Sequence, residues 1–297
     1  MSNFSKVYFR SNAMNEVLLR IERIKSVFLD TQIFCSMHDN MDALIGYLEN
    51  TETEFRSIAY ESASMAIALK DLKNNEGLNT WLFYKNGPAL AHKAQVHVGL
   101  GWAIAKLNLP FLSVVNKIDP SLYYRVADGC GYYDGSFRHK QTIMNRQLPG
   151  YIPNATMSMY DQGVGRSLWY TCSADIIKIR SLIKSFPGAR QASIWRGIGI
   201  AVAYVGGCDD DTLRTLLQYA ATNCIQLTYG AALALRSRIE ANTLTTDTAH
   251  CSRLWFSYTA SEANIFSSDL ANPVTDVNEQ VYFNWIKQVD EGLANSF

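Results

Sequence analysis

The chain has 297 residues, of which 48% are hydrophobic and 18% are charged. This length and composition allow a large buried core, and we predict a single domain over residues 1–297. The 27 Lys and Arg residues balance the 27 Asp and Glu residues, so the sequence lacks the basic surface that nucleic acids or anionic membranes attract. No apolar run reaches the roughly 20 residues of a spanning helix, and the first residues lack a signal peptide's hydrophobic segment. We therefore expect a cytoplasmic protein with no transmembrane segment and no nucleic-acid partner.

The residue types that ligate metals are scattered along the chain. Six cysteines include no C-x-x-C pair, and five histidines include no H-x-x-x-H or H-E-x-x-H pair, so we expect reduced thiols and no metal site. The sequence also lacks G-x-G-x-x-G, the phosphate loop and G-x-S-x-G, which are typical of dinucleotide, phosphate and serine-hydrolase sites. We therefore expect no cofactor.

The first elements in chain order are helices. Apolar residues at helical spacing predict helices over residues 12–29 and 39–48, which together form an N-terminal unit over 1–50. Thr51-x-x-Glu54 matches a capping box and predicts the start of a third helix that runs to Leu72. We also predict a helix at the short apolar segment 81–84.

Small residues recur from the third helix onward, and at the first six places they form pairs two positions apart. The places begin at Ser62, Gly99, Gly129, Gly163, Gly197, Gly230 and Ala263. The intervals of 30 to 37 residues, with a period of about 33, are typical of helical hairpins. We predict an all-α fold of tandem helical hairpins over residues 51–270, arranged as a closed α/α toroid or an open α-solenoid.

The second helices of two hairpins carry capping signals. Ser173 is predicted to cap a helix over 174–186, and Asp209 a helix over 210–222. The run Asp209–Asp211 also resembles a metal or diphosphate site, but carboxylates are favoured at the first turn of a helix, and we interpret the run as a cap. A final helix is predicted within a capping segment over 276–297.

The small residues themselves allow two interpretations. Glycine costs about 1 kcal/mol relative to alanine inside a helix, so its repeated use needs a compensating gain. Small residues permit close packing of neighbouring helices, and they also leave space for a ligand in front of a helix. Both interpretations stay open from the sequence, with packing the commoner use in repeat proteins.

Arg166 is the leading candidate for a functional residue. It lies in an otherwise small and apolar helix, where a guanidinium is costly unless it is paired. Asp161 precedes it and is expected to cap that helix and to face Arg166. The arginine then either forms a structural pair or anchors an anion or carbonyl group in a cavity.

A second candidate region is the polar and aromatic run from Asp128 to Asp134, which includes Tyr132 and Tyr133 in a glycine-rich frame. His97 is the histidine nearest to a small-residue pair. With Arg166 and Asp161, Asp128 and His97 complete the set of candidate catalytic groups.

Several of these segments together resemble the DUF1702 family, whose members are called enediyne biosynthesis proteins. The matching segments are Asp119-Pro120, residues 97–103, Asp128-Gly-x-Gly-Tyr132, Asp161-Gln-Gly-Val-Gly-Arg-Ser-Leu-Trp169 and Gly197-Ile-Gly-Ile-Ala201. Their order is kept from about Phe55 to about Ile239. The resemblance implies a role in specialised metabolism and supplies no established reaction. Tyr133-Asp134 replace a histidine of the family pattern, so a histidine-dependent step there is not expected, and Ser62 replaces the usual glycine.

Two functions follow from this reading. The first is a biosynthetic protein that encloses a lipophilic polyene or polyketide-like substrate and promotes its cyclisation, isomerisation or other tailoring without a redox cofactor. The expected substrate-binding residues are aromatic: Trp102, Tyr132, Tyr133, Trp169 and Trp195. The alternative is a non-catalytic solenoid that binds an intermediate or a pathway enzyme on its concave surface.

Overall fold

The computed structural model describes residues 12–74 and 77–266, and the side chains within 16–74 and 77–257. These residues form thirteen α-helices, and no strand occurs among them. The helices are α1 (Asn12–Met37), α2 (Met41–Glu49), α3 (Thr53–Lys73), α4 (Asn79–Asn86), α5 (Lys93–Leu107), α6 (Phe111–Val115), α7 (Tyr123–Phe137), α8 (Met157–Thr171), α9 (Ile176–Lys184), α10 (Gly188–Val205), α11 (Asp210–Ala220), α12 (Cys224–Glu240) and α13 (Thr246–Phe266). The all-α prediction is confirmed. The predicted capping segment over 276–297 lies outside the described residues.

Six long helices pack against one another in sequence order: α3, α5, α7, α8, α10 and α12. We call them the inner helices. Each contains one of the predicted small-residue pairs, and the shorter helices α4, α6, α9 and α11 connect them. The connection between α7 and α8 differs, because it contains the π-helix Lys140–Met144 and a 3₁₀ turn at Asn154–Thr156 but no α-helix.

The small pairs are contact points between the backbones of the inner helices. Residues two apart point about 200° apart around a helix axis, so each pair can face both neighbours. A Cβ atom at Gly163 would lie 1.8 Å from the Asp128 carbonyl oxygen of α7, and one at Gly165 would lie 2.0 Å from the Ile194 carbonyl oxygen of α10. The same relation holds for the glycine pairs of α5, α7 and α10. These glycines therefore serve close packing, and any side chain would force the helices apart.

Helix α3 uses serines at the same two positions. Ser62 Oγ donates to the Phe28 carbonyl of α1 at 2.7 Å, and Ser64 Oγ donates to the Val96 carbonyl at 2.5 Å. The hydroxyls thus bind the same kind of backbone oxygen that the glycines of other helices approach directly. This explains why serine can replace glycine at position 62.

The capping predictions had different outcomes. Asp209 caps α11 as predicted, since its carboxylate accepts from Thr212 N at 2.8 Å. The prediction for α9 was wrong, because Asp175 accepts from Ile177 N and Lys178 N, whereas Ser173 has a left-handed φ of 51°. The capping box before α3 was also wrong, because the residue at its N-cap, Glu52, makes no side-chain cap.

The layer of inner helices is curved. Arg166 of α8 lies 3.8 Å from Glu61 of α3, although α5 and α7 come between them in the packing order. Packed helices lie 8–10 Å apart, so a flat layer would separate α3 from α8 by about 27 Å. Farther along, Arg238 of α12 donates to the Glu54 carbonyl of α3 at 3.1 Å. The inward sides of these helices therefore converge, and the last inner helix contacts the first.

Candidate functional site

The residues that meet at the centre of the curved layer occupy two equivalent positions in their helices. The first position immediately precedes the first small residue of a pair, and the second position lies four residues later on the same helix face. The set comprises Glu61 of α3, Trp102 of α5, Asp128 and Tyr132 of α7, and Gln162 and Arg166 of α8. We call these six residues the central cluster. Every member is buried.

Arg166 lies close to three other members of the central cluster. Its Nη1 donates to Asp128 Oδ1 at 2.5 Å, and its guanidinium lies 4.6 Å from the centre of the Tyr132 ring. The second oxygen of Asp128 accepts from Gln162 Nε2 at 2.5 Å. Burial alone would lower the pKa of Arg166. The negative charges of Asp128 and Glu61 outweigh this effect and raise the pKa above its ordinary value, so the guanidinium stays charged. The pair with Asp128 confirms that a buried arginine here needs a carboxylate partner.

Glu61 is the second carboxylate of the central cluster, and it is placed differently from Asp128. Burial raises the pKa of its carboxyl group from 4.5 to about 7. Asp128 adds to this rise, whereas Arg166 and the Trp102 indole oppose it. One guanidinium cannot fully compensate two buried carboxylates, and Asp128 holds the closer contact. Glu61 therefore exchanges its proton near neutral pH, as a general acid or base must.

Three polar atoms of the central cluster have no hydrogen-bond partner within the described part of the chain: Glu61 Oε2, Trp102 Nε1 and Arg166 Nε. The Trp102 indole affects the pKa of Glu61 without reaching hydrogen-bonding geometry. Buried polar atoms almost always have partners. Two donors and one acceptor of the central cluster are therefore available to a polar ligand.

Aromatic rings surround one side of the central cluster. The Trp102 ring lies 4.7 Å from Tyr132, 5.8 Å from Tyr133 and 5.0 Å from Phe28, measured between ring centres. Three of the five predicted binding residues are thus brought together. Trp169 and Trp195 are buried as well, but among the described side chains neither makes a ring contact with this group.

Asp161 and His97 lie apart from the central cluster. Asp161 is inside α8 rather than before it, and Arg190 donates to both of its oxygens at 2.8 and 2.6 Å. The expectation that Asp161 caps α8 and faces Arg166 was therefore wrong. His97 Nδ1 contacts the Lys93 carbonyl at 2.6 Å, and burial lowers the pKa of its imidazole to about 4, so the ring is neutral.

Sequence reasoning missed Glu61 and Gln162. Both immediately precede the first small residue of a pair, as Asp128 does. The period of the small pairs therefore contained the signal, because a polar residue at that place in a buried helix lies on the inward side.

A second group of polar residues surrounds the carboxylate of Asp134, near the C-terminal end of α7. Asp134 Oδ2 accepts from the hydroxyls of Tyr151 and Tyr160 at 2.8 and 2.9 Å, and Oδ1 accepts from Arg138 Nη1 at 2.7 Å. These four residues line a half-open pocket of about 280 Å³, beside the π-helix Lys140–Met144. Burial raises the pKa of Asp134, and its three donors oppose the rise. Both oxygens have partners, in contrast to Glu61.

Within residues 12–74 and 77–266, no three or more His, Cys, Asp or Glu side chains lie close enough to hold a metal ion. None of the helices in these ranges combines the length and apolar character needed to cross a membrane.

Comparison with known proteins gives one match. The sequence profile of a family described as "Protein of unknown function (DUF1702)" matches residues 2–293. No curated protein and no solved structure matches the chain.

Proposed function

We propose that this chain, which belongs to the DUF1702 family, encloses a lipophilic polyene or polyketide-like substrate and transfers protons on it. The outcome would be cyclisation, isomerisation or another tailoring step of specialised metabolism without a redox cofactor. The observation that carries the proposal is the buried Glu61, whose Oε2 has no hydrogen-bond partner within the described chain and whose pKa is raised by burial to about 7. Perturbed carboxyl groups of this kind cluster at catalytic sites.

The central cluster divides the work between its members. Glu61 removes a proton from a carbon next to a carbonyl group and returns it to a different carbon of the same substrate. The electron pair of the broken C–H bond forms a C=C bond while the C=O π pair moves onto the carbonyl oxygen; protonation of a conjugated carbon then restores the C=O bond, so no oxidant is needed. Arg166 and the Trp102 N–H stabilise the charge that develops on this oxygen. Asp128 and Gln162 act as positioning residues, because they hold the guanidinium in place.

We further propose that the inner helices form a closed α/α toroid with the central cluster inside. Two contacts support this arrangement. Arg238 of α12 reaches the Glu54 carbonyl at the start of α3, and Arg125 of α7 donates to Ser237 of α12 at 3.3 Å across the layer. A closed ring would exclude water from Glu61, and this exclusion strengthens each electrostatic interaction in the site.

The test uses hydrogen exchange between substrate and solvent. Purified protein is extracted with organic solvent, the bound compound is identified by mass spectrometry, and it is incubated with protein in D₂O. We expect the wild-type protein to introduce deuterium and Glu61→Gln to reduce the rate by about 100-fold, the lower end of the usual general-base effect. Glu22→Gln is the control, because Glu22 is exposed and pairs with Lys25 on its own helix. Equal exchange rates for wild type and Glu61→Gln would refute the proposal.

A non-catalytic binding protein is the second candidate, and one surface feature favours it. Leu29, Ile33 and Met37 follow each other at four-residue spacing on α1 and are 60, 56 and 71% exposed. Such an apolar stripe is typical of a contact with another protein. Co-purification of a protein that is lost in Ile33→Glu, together with absence of any extracted compound, would support this candidate over the first.

A further inference from the structure

A continuous series of aromatic rings connects the surface with the central cluster. Phe137 is 66% exposed, and its ring centre lies 4.8 Å from Tyr133 and 5.9 Å from Trp102. Trp102 is 6% exposed and contacts Tyr132, whose ring lies against the Arg166 guanidinium. We call Phe137, Tyr133, Trp102 and Tyr132 the aromatic path. The aromatic path therefore joins exposed apolar surface to the central cluster by direct ring contacts.

Trp102 contacts several aromatic rings but makes no hydrogen bond through its indole. Its Nε1 has no hydrogen-bond partner within the described region, and its ring lies edge-on or tilted against the neighbouring rings. A flat, unsaturated group can make the same edge-on and tilted contacts with these rings. The path therefore suits a conjugated chain.

The inner end of the path sets the polarity of the ligand. Trp102 and Arg166 offer N–H donors, and Glu61 offers a carboxyl oxygen. Because Asp128 and Glu61 already surround a single guanidinium, an added anion would bring a third negative group to the same place. A neutral oxygen, as in a hydroxyl or carbonyl group, can accept from the donors and, if it is a hydroxyl, donate to Glu61.

We propose that the ligand is a neutral compound with an oxygen group at one end and an unsaturated chain, which enters along the aromatic path oxygen first. The oxygen lies against Trp102 Nε1 and Glu61 Oε2, and the chain extends past Tyr133 towards Phe137. This inference names the substrate class for the site of the proposed function and rests on it for the choice of site. It does not require the site to be catalytic.

The experiment measures binding of two matched probes by isothermal titration calorimetry at pH 8. The probes are (2E,4E)-deca-2,4-dien-1-ol and (2E,4E)-deca-2,4-dienoic acid, which share a chain and differ in the charge of the end group. We expect the alcohol to bind at least about tenfold more tightly than the acid. Trp102→Phe keeps a ring and removes the N–H, and we expect it to weaken binding of the alcohol by about tenfold.

A surface variant tests the entrance. Phe137→Glu places a charge at the outer end of the aromatic path and should weaken binding of the alcohol or slow it at least about fivefold. Phe83→Glu is the matched control, since Phe83 is 65% exposed on α4 and contacts no ring of the path. Binding of the alcohol should be unchanged in this control.

Three results would overturn the inference: no binding of the alcohol, equal binding of alcohol and acid, or equal effects of the two phenylalanine substitutions. These results are separate from the deuterium test. Alcohol binding with an unchanged exchange rate in Glu61→Gln would keep the ligand class and refute the catalytic function. Slower exchange in Glu61→Gln without the expected probe preference would support the catalytic function and refute the ligand class.

Discussion

Helix α7 carries two buried aspartates whose surroundings differ. Asp128 and Asp134 are six residues apart, each is about 1% exposed, and each binds an arginine. Around Asp134, two tyrosine hydroxyls and Arg138 satisfy both carboxylate oxygens. Around Asp128, the carboxylate itself has partners, but the neighbouring Glu61 and Arg166 each keep a polar atom without one within the described chain.

This difference separates a structural carboxylate from a candidate site more clearly than burial does. A complete set of partners stabilises one geometry and leaves nothing for a ligand to gain. Unsatisfied buried donors and acceptors cost stability, and a catalytic role or a bound water or ion is a common explanation for them. The half-open pocket beside Asp134 is the more obvious cavity, yet the hydrogen bonds favour the buried central cluster.

Both clusters depend on the contact between α7 and α8, so breaking that contact should have the largest effect. Asp128 meets Arg166 of α8, and Asp134 meets Tyr160 of α8. In Gly163→Leu, the new side chain would start 1.8 Å from the Asp128 carbonyl oxygen. We expect a loss of about 5 kcal/mol or more in the free energy of unfolding, measured by urea denaturation.

Gly46→Ala is the control for this substitution. Gly46 lies within α2, and an added Cβ there would meet no atom within 4 Å. Alanine should stabilise the helix by up to about 1 kcal/mol. A stable Gly163→Leu protein would mean that α7 and α8 can separate, which contradicts the close-packing role of the small pairs.

Removal of Asp128 should have the next largest effect. Asp128→Ala leaves Arg166 buried with only the more distant Glu61, and breaking a buried pair in this way costs about 3 to 5 kcal/mol. Asp134→Ala should cost less, about 2 kcal/mol, because the Arg138 side chain is 32% exposed and water can solvate it. Urea denaturation of both variants gives the comparison. A larger loss for Asp134→Ala would reverse the order that we infer.

Glu61→Gln should stabilise the folded protein, in contrast to Asp128→Ala and Asp134→Ala. The pKa of Glu61 is raised from 4.5 to about 7 in the folded protein, so the folded state holds a proton that the unfolded state has lost between these values. Stability contributed by this group is therefore complete below pH 4.5 and falls as the pH rises to about 7. At pH 8 the ionised Glu61 costs about 3 kcal/mol at 1.36 kcal/mol per pKa unit.

Glutamine keeps the shape of the protonated acid, so the variant should lose this dependence. We expect Glu61→Gln to be more stable than wild type by about 3 kcal/mol at pH 8 and by much less at pH 5. The measurement is urea denaturation at both values, with Glu22→Gln as a control that shows no such difference. A Glu61→Gln protein that is less stable than wild type at pH 8 would show that the ionised form is needed for the fold.

The small pairs explain how much of the architecture was predictable. Ser62, Gly99, Gly129, Gly163, Gly197 and Gly230 each lie in a different inner helix, because a backbone contact needs a small residue at each crossing. Periodicity records these contacts between successive helices. It does not record the curvature of the layer, which depends on crossing geometry summed over several helices.

The sequence identified several residues of the central cluster but did not predict which of them pair with each other. Arg166 and Asp128 were identified separately, Arg166 as a guanidinium among small and apolar residues and Asp128 as part of a polar and aromatic run. Their pairing, and the approach of Glu61 to Arg166 across two intervening helices, depends on the curvature. Asp161 was assigned to Arg166 because they are close in sequence, whereas its partner Arg190 comes from the next inner helix.

The smallest predicted effect tests the structural role of Asp134. Tyr151→Phe removes one of the two hydroxyls that bind its Oδ2, while Tyr160 and Arg138 remain. One hydrogen bond is worth about 1 kcal/mol, and urea denaturation should show a loss of that size. Binding of decadienol and deuterium exchange should match wild type, since no polar atom of the central cluster changes. If Tyr151→Phe instead abolishes probe binding while its stability falls only slightly, the half-open pocket beside Asp134 is the ligand site, because its fully paired carboxylate would then be a binding group.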